Sequence, residues 1–142
     1  MAIAEVHSDP ARASELQYPP GVSVTSTDTL FFMSGATAVP LYHMHPHIDE
    51  ECILPDDIRE QTRRILVTFD EILTFNGLAW RNVVKFTQFL TDIREHDAVQ
   101  EVIAEFFGDS PWRPASSSVA INALSSPGAR LEIDVVAAKS VD

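Results

Sequence analysis

Cysteine is almost missing from this chain: Cys52 is the single thiol in 142 residues, which excludes a disulfide within the chain. Positive charge is scarce too. Ten lysines and arginines stand against 21 aspartates and glutamates, and the resulting net charge of −11 repels phosphate backbones, so nucleic acid is not an expected partner. No apolar run approaches the roughly 20 residues that span a bilayer, so no membrane partner is expected either. The basic-then-apolar order of a secretion signal is absent from the amino terminus. With the lone thiol, that makes the cytoplasm the expected compartment. Internal repeats and low-complexity tracts are lacking as well.

What is there suffices for one core. The chain is 45% apolar, and its length argues for a single domain over residues 21–140 preceded by an arm over 1–20, which is polar and punctuated by Pro10, Pro19 and Pro20. Val22–Val24 and Thr29–Ser34 flank Ser26-Thr27-Asp28 and read as a β-hairpin. Pro40, Pro46 and Pro55 break the stretch from Ala38 to Pro55 into a loop. Asp56 and Asp57 suit the start of a helix whose Ile58, Ile65, Leu66, Phe69, Ile72 and Leu73 recur at helical spacing until Asn76-Gly77. Val83–Leu90 alternates as a strand, with Phe86 and Phe89 on opposite faces. A second helix is expected from His96 to Phe107, ended by Gly108. Two closing strands, around Ser116–Ile121 and Leu131–Ala137, are joined by a Pro127-Gly128 turn.

That order implies an α+β fold, a two-layer mixed sheet with two helices on one face. Val119, Ile121, Ile133 and Val135 are expected to leave the other face too apolar for water, so the chain should oligomerise.

Ser34-Gly35, Asp57-Ile58-Arg59-Glu60-Gln61-Thr62, Phe106-Phe107, Pro114-Ala115 and Glu132-Ile133-Asp134, in this order and spacing, resemble the RidA (YjgF/YER057c) family of enamine and imine deaminases. The resemblance covers about residues 21–138. It implies a chorismate-mutase-like subunit, a homotrimer with a ligand cleft at each subunit boundary, and hydrolysis of small enamines or imines without a cofactor. Older labels for the family include an endoribonuclease, which the acidity of this chain does not favour.

Carried over by resemblance, Glu132 orients the attacking water, Ser118 contacts water or substrate, and Ser34 and Gly35 line the cleft. The family's arginine, which grips the substrate carboxylate, is replaced by Ser116, while Gln100 stands where relatives carry an asparagine. One rotatable hydroxyl cannot reproduce a bidentate charged grip. The loss is on the order of 2–5 kcal/mol, roughly 30- to 4,000-fold in affinity. Arg113 is the nearest substitute clamp, with Arg130 on the adjoining strand. Each of these residues also has a plain structural reading: Glu132 at an interface satisfied by backbone donors, the serines packed locally, Arg113 solvated beside a turn. The departures keep a second function open, a non-catalytic small-molecule-binding or regulatory trimer.

The loop carries its own pattern. His43, His45 and His47 alternate ahead of Asp49-Glu50-Glu51-Cys52, and imidazole with carboxylate suits zinc, iron or nickel. On a regular strand neighbouring rings on one face lie about 7 Å apart, so a shared ion requires the backbone to curl. The resembling family needs no metal. The loop is thus expected to be surface or to line the cleft, with these histidines the candidate ligands for a metal-dependent enzyme. Cys52 lacks an evident base partner and reads as a packed thiol.

Overall fold

The computed structural model describes residues 3–16 and 18–140; residues 1, 2 and 17 of the expected arm lie outside them. The first helix, α1, runs Ile58–Phe75 behind an N-cap at Asp57, whose carboxylate accepts the Arg59 N–H. Its apolar stripe buries Ile65, Leu66 and Phe69 completely and Leu73 almost so. The second helix, α2, spans His96–Phe107 and stops at Gly108, whose φ of 57° a side chain would strain.

Both helices pack on one face of a four-stranded sheet. Its strands are β3 (Thr29–Phe32), β4 (Val83–Leu90), β5 (Ala115–Ala120) and β6 (Leu131–Lys139), in the spatial order β3-β6-β4-β5. The sheet is mixed, because β4 and β5 are parallel while β6 is antiparallel to both of its neighbours. Phe86, Leu90, Leu131, Ile133 and Val135 turn toward the helices and form one core with them. Removing a fully buried Phe69 ring from that core costs about 3–5 kcal/mol. The expected two-layer α+β architecture is therefore the observed one. Among the described residues, no helix is long and apolar enough to cross a membrane.

The strands depart from the sequence reading in three places, two of pairing and one of burial. Val22 and the Thr29 strand do not form a hairpin with each other. The strand β2 (Gly21–Ser23) pairs instead with β1 (Ala4–Val6), inside the expected arm, while β3 pairs with β6. The turn between them is real, with Asp28 N–H donating to Thr25 O at 3.1 Å, but it hands the chain from one sheet to another. Likewise β5 and β6 are not neighbours, since the crossover through α2 sets β5 parallel to β4 at the sheet edge. Ile133 and Val135, expected on the bare face, are at most 1% exposed beneath the helices. The opposite face carries Glu132, Asp134, Thr87 and Phe89, flanked by Phe32, which is 76% exposed.

Candidate functional site

Past Phe32 the chain keeps following β6: Met33 N–H donates to Val135 O at 3.1 Å, and Ala36 and Ile133 exchange both backbone hydrogen bonds at 3.0 Å. Ser34-Gly35 is thereby drawn across the side chains of Glu132 and Asp134. A Cβ on Gly35 would lie 2.6 Å from Asp134 Oδ1 and 2.9 Å from Glu132 Oε2, so this close approach requires glycine. Beside it opens a cavity of about 530 Å³. The segment from Phe32 to Leu41 forms one wall, α1 contributes Thr68, Phe69 and Ile72, and Ser125–Pro127 close the end. Among the described residues that line it, Glu132 is the only acid. Burial, helped by the neighbouring Asp134 carboxylate, pushes its pKa above the ordinary glutamate value. A half-buried carboxylate of that kind is suited to taking a proton from water.

Of the residues expected to form one site, the structure brings Ser34, Gly35 and Glu132 together and places the others elsewhere. Ser116 and Ser118 pair in register with Phe86 and Gln88, on the helix side of β5, whereas Glu132 pairs with Phe89 on the opposite side of the sheet. Ser118 Oγ lies 3.2 Å from His96 Nε2. Ser116 Oγ accepts from Gln88 Nε2 at 3.2 Å, Gln88 Oε1 accepts from Gln100 Nε2, and Gln100 Oε1 accepts from the Tyr18 hydroxyl. Arg113 is held at 2.8 Å by the carbonyls of Ser110 and Trp112, with its guanidinium carbon 5.1 Å from the centre of the Phe107 ring. Arg130 is also engaged, in an ion pair with Glu95 at 2.8 Å.

Gln88, Tyr18 and Asp134 touch the expected site residues and were not named among them. Gln88 left a readable signal: it alternates with Phe86 and Leu90 on one side of the strand, so an amide there is buried among apolar side chains and needs a partner. The contact of Tyr18 with Gln100 spans 82 residues, beyond the reach of any local pattern. Burial raises the Tyr18 pKa, partly opposed by the charge of Arg113.

The histidine loop is not extended. Its rings converge, with centroids 4.7 Å apart for His43 and His45, 5.0 Å for His43 and His47, and 4.7 Å for His45 and His47. The curl that a strand geometry forbids is present, and His43, His47 and Cys52 line the Glu132 cavity.

Fold and cavity together define a two-layer α+β protein with a carboxylate-bearing pocket at a sheet edge. The chain belongs to the family described as Endoribonuclease L-PSP, the Rid/YjgF proteins, whose model matches residues 10–139. Protein DfrA of Myxococcus xanthus is 32% identical over 137 residues, covering 96% of both chains. Among solved structures, the Rid-family protein YyfA of Yersinia pestis, titled as of unknown function, is 26% identical at a TM-score of 0.66, covering 97% of this chain and 100% of its own. TdcF of E. coli, solved with bound serine, is 27% identical at a TM-score of 0.66, covering 87% of this chain and 88% of its own.

Proposed function

We propose that this chain is a cytoplasmic homotrimeric hydrolase that deaminates a small enamine or imine in a cleft between subunits. The observation that carries the reading is Glu132, a half-buried carboxylate of raised pKa facing a cavity large enough for a small metabolite. As a water oxygen bonds to the imine carbon, Glu132 accepts a proton from that water and passes it to the nitrogen. The carbinolamine then collapses, expelling ammonia and leaving the carbonyl product. TdcF's bound serine, a small amino acid, supports a ligand of similar size.

Trimerisation is supported by the division of the site. Glu132 with Ser34 and Gly35, and Ser116, Ser118 and Gln100, lie on opposite sides of one sheet, so a ligand touching both sets needs a second chain. The exposed Phe32 beside Glu132 is the kind of surface such an interface covers.

With serine at 116, simple 2-imino acids should be poor substrates, and the preferred substrate is larger or less dependent on one carboxylate. Ammonia release from freshly generated 2-aminoacrylate and from bulkier enamines tests this. Turnover above the buffer rate, lost in Glu132→Gln, is the expected result. Tight binding without turnover of any of them would favour the regulatory binding trimer instead, a reading supported by Ser116 already being committed to Gln88.

A further inference from the structure

Three imidazoles in mutual contact on a solvent-facing loop demand a reason. Among the described residues, His45 makes no hydrogen bond, and His43 Nε2 and His47 Nε2 face each other at 3.2 Å. We propose that His43, His45 and His47 bind one divalent transition-metal ion, with zinc the best fit, at the wall of the Glu132 cavity. The remaining coordination position is then open to water or to an oxygen of a ligand in that cavity.

The distances suit an ion. With metal–nitrogen bonds of about 2.0–2.1 Å, two ligands of a tetrahedral centre stand roughly 3.3–3.4 Å apart, close to the separation between His43 and His47. One ligand nitrogen from each of the three residues falls within 4.8 Å of the others, so a side-chain adjustment of about 1–2 Å completes the set.

The surroundings are built for the same end. His43 Nδ1 lies 2.7 Å from Pro40 O, which fixes the tautomer that donates there and puts the ring's lone pair on Nε2, the atom that faces His47. Glu51 accepts the Met44 N–H at 2.7 Å, and the single helical turn Asp49–Cys52 carries Glu51 back over the loop. These contacts hold the curl between His43 and His45. Imidazole donors with an open position suit zinc, and also nickel or ferrous iron, better than calcium or magnesium. His43 and His47 both line the cavity that Glu132 faces, so an ion held there meets whatever the cavity binds.

Metal binding stands independently of the deaminase reading and is tested without turnover. Full-length, tag-free chain is stripped with chelator and titrated with cobalt(II), followed by visible absorption. One equivalent should give the strong bands of a four- or five-coordinate ion, bleached by zinc. The double variant His43→Ala/His47→Ala, with its circular dichroism unchanged, should bind at least about 100-fold more weakly, more than loss of an outer partner alone produces. A spectrum that stays that of the hydrated ion, or equal binding by the variant, overturns the proposal. A histidine-ring NMR titration of the unmodified chain with zinc needs no variant. The rings of His43, His45 and His47 should shift together and saturate at one equivalent, and movement confined to His7 and His96 would overturn it.

Discussion

Gly35 lies against Glu132 so closely that a single added methyl would stand 2.9 Å from the carboxylate oxygen Oε2. The polypeptide itself, rather than a side chain, thus forms the floor on which the candidate catalytic acid rests. Gly35→Ala should destabilise the fold by about 1–3 kcal/mol, as overpacking does. Because Asp134 Oδ1 is closer still, at 2.6 Å, the loss should shrink when Asp134→Ala is added. Urea unfolding of the four proteins in that cycle measures both effects.

The raised pKa of Glu132 makes a pH-dependent statement about stability. The fold favours the protonated carboxyl, so its contribution is fully present below the ordinary glutamate pKa and fades as pH rises through the folded value. Glu132→Gln, neutral throughout, should therefore be more stable than the parent at neutral pH, with the gap closing in acid. Asp134→Asn should lower the Glu132 pKa but leave it above the ordinary value, because burial is the larger cause. Carboxyl-carbon NMR titration reads this directly, and unchanged titration in the variant would remove Asp134 from the cause.

Gln61 is fully buried at the start of α1, and its amide joins three parts of the chain. Its Nε2 donates to Pro55 O at 2.9 Å and Gly128 O at 3.0 Å, while its Oε1 accepts the Arg130 N–H at 3.0 Å. Gln61→Leu should cost about 2–4 kcal/mol, since it strands buried backbone groups rather than only losing bonds. The urea midpoint should fall accordingly, and a shift near zero would show that water replaces the amide.

The helices were legible because their signals are local: the Asp57 cap, the apolar stripes and the terminal glycines all lie inside the segments they define. Partner choice among strands was not. The Pro127-Gly128 turn reads like a hairpin, yet the α2 crossover has already given β5 its place beside β4, and β6 takes the other side of β4. Ile133 and Val135 were put on the wrong face for a separate reason: alternation shows that they share a face, and not which face the helices cover. Glu132 was legible as an acid alternating with apolar residues, but its partner Gly35 comes to it only through the long-range bridge between Ala36 and Ile133. The histidine triad was legible as a pattern on a loop, but period-two spacing alone does not say whether that loop spreads the rings or, as here, folds them together.

Ser34, Gly35 and Glu132 lie together, whereas Ser116, Ser118 and Gln100 lie across the sheet, so a ligand that touches both sets, as proposed, needs more than one chain. The most direct test is enamine hydrolysis measured across a size-exclusion profile with light-scattering detection. Activity should coincide with a species three times the 15.7 kDa chain mass. Full activity in a species of 15.7 kDa would contradict a site shared between subunits.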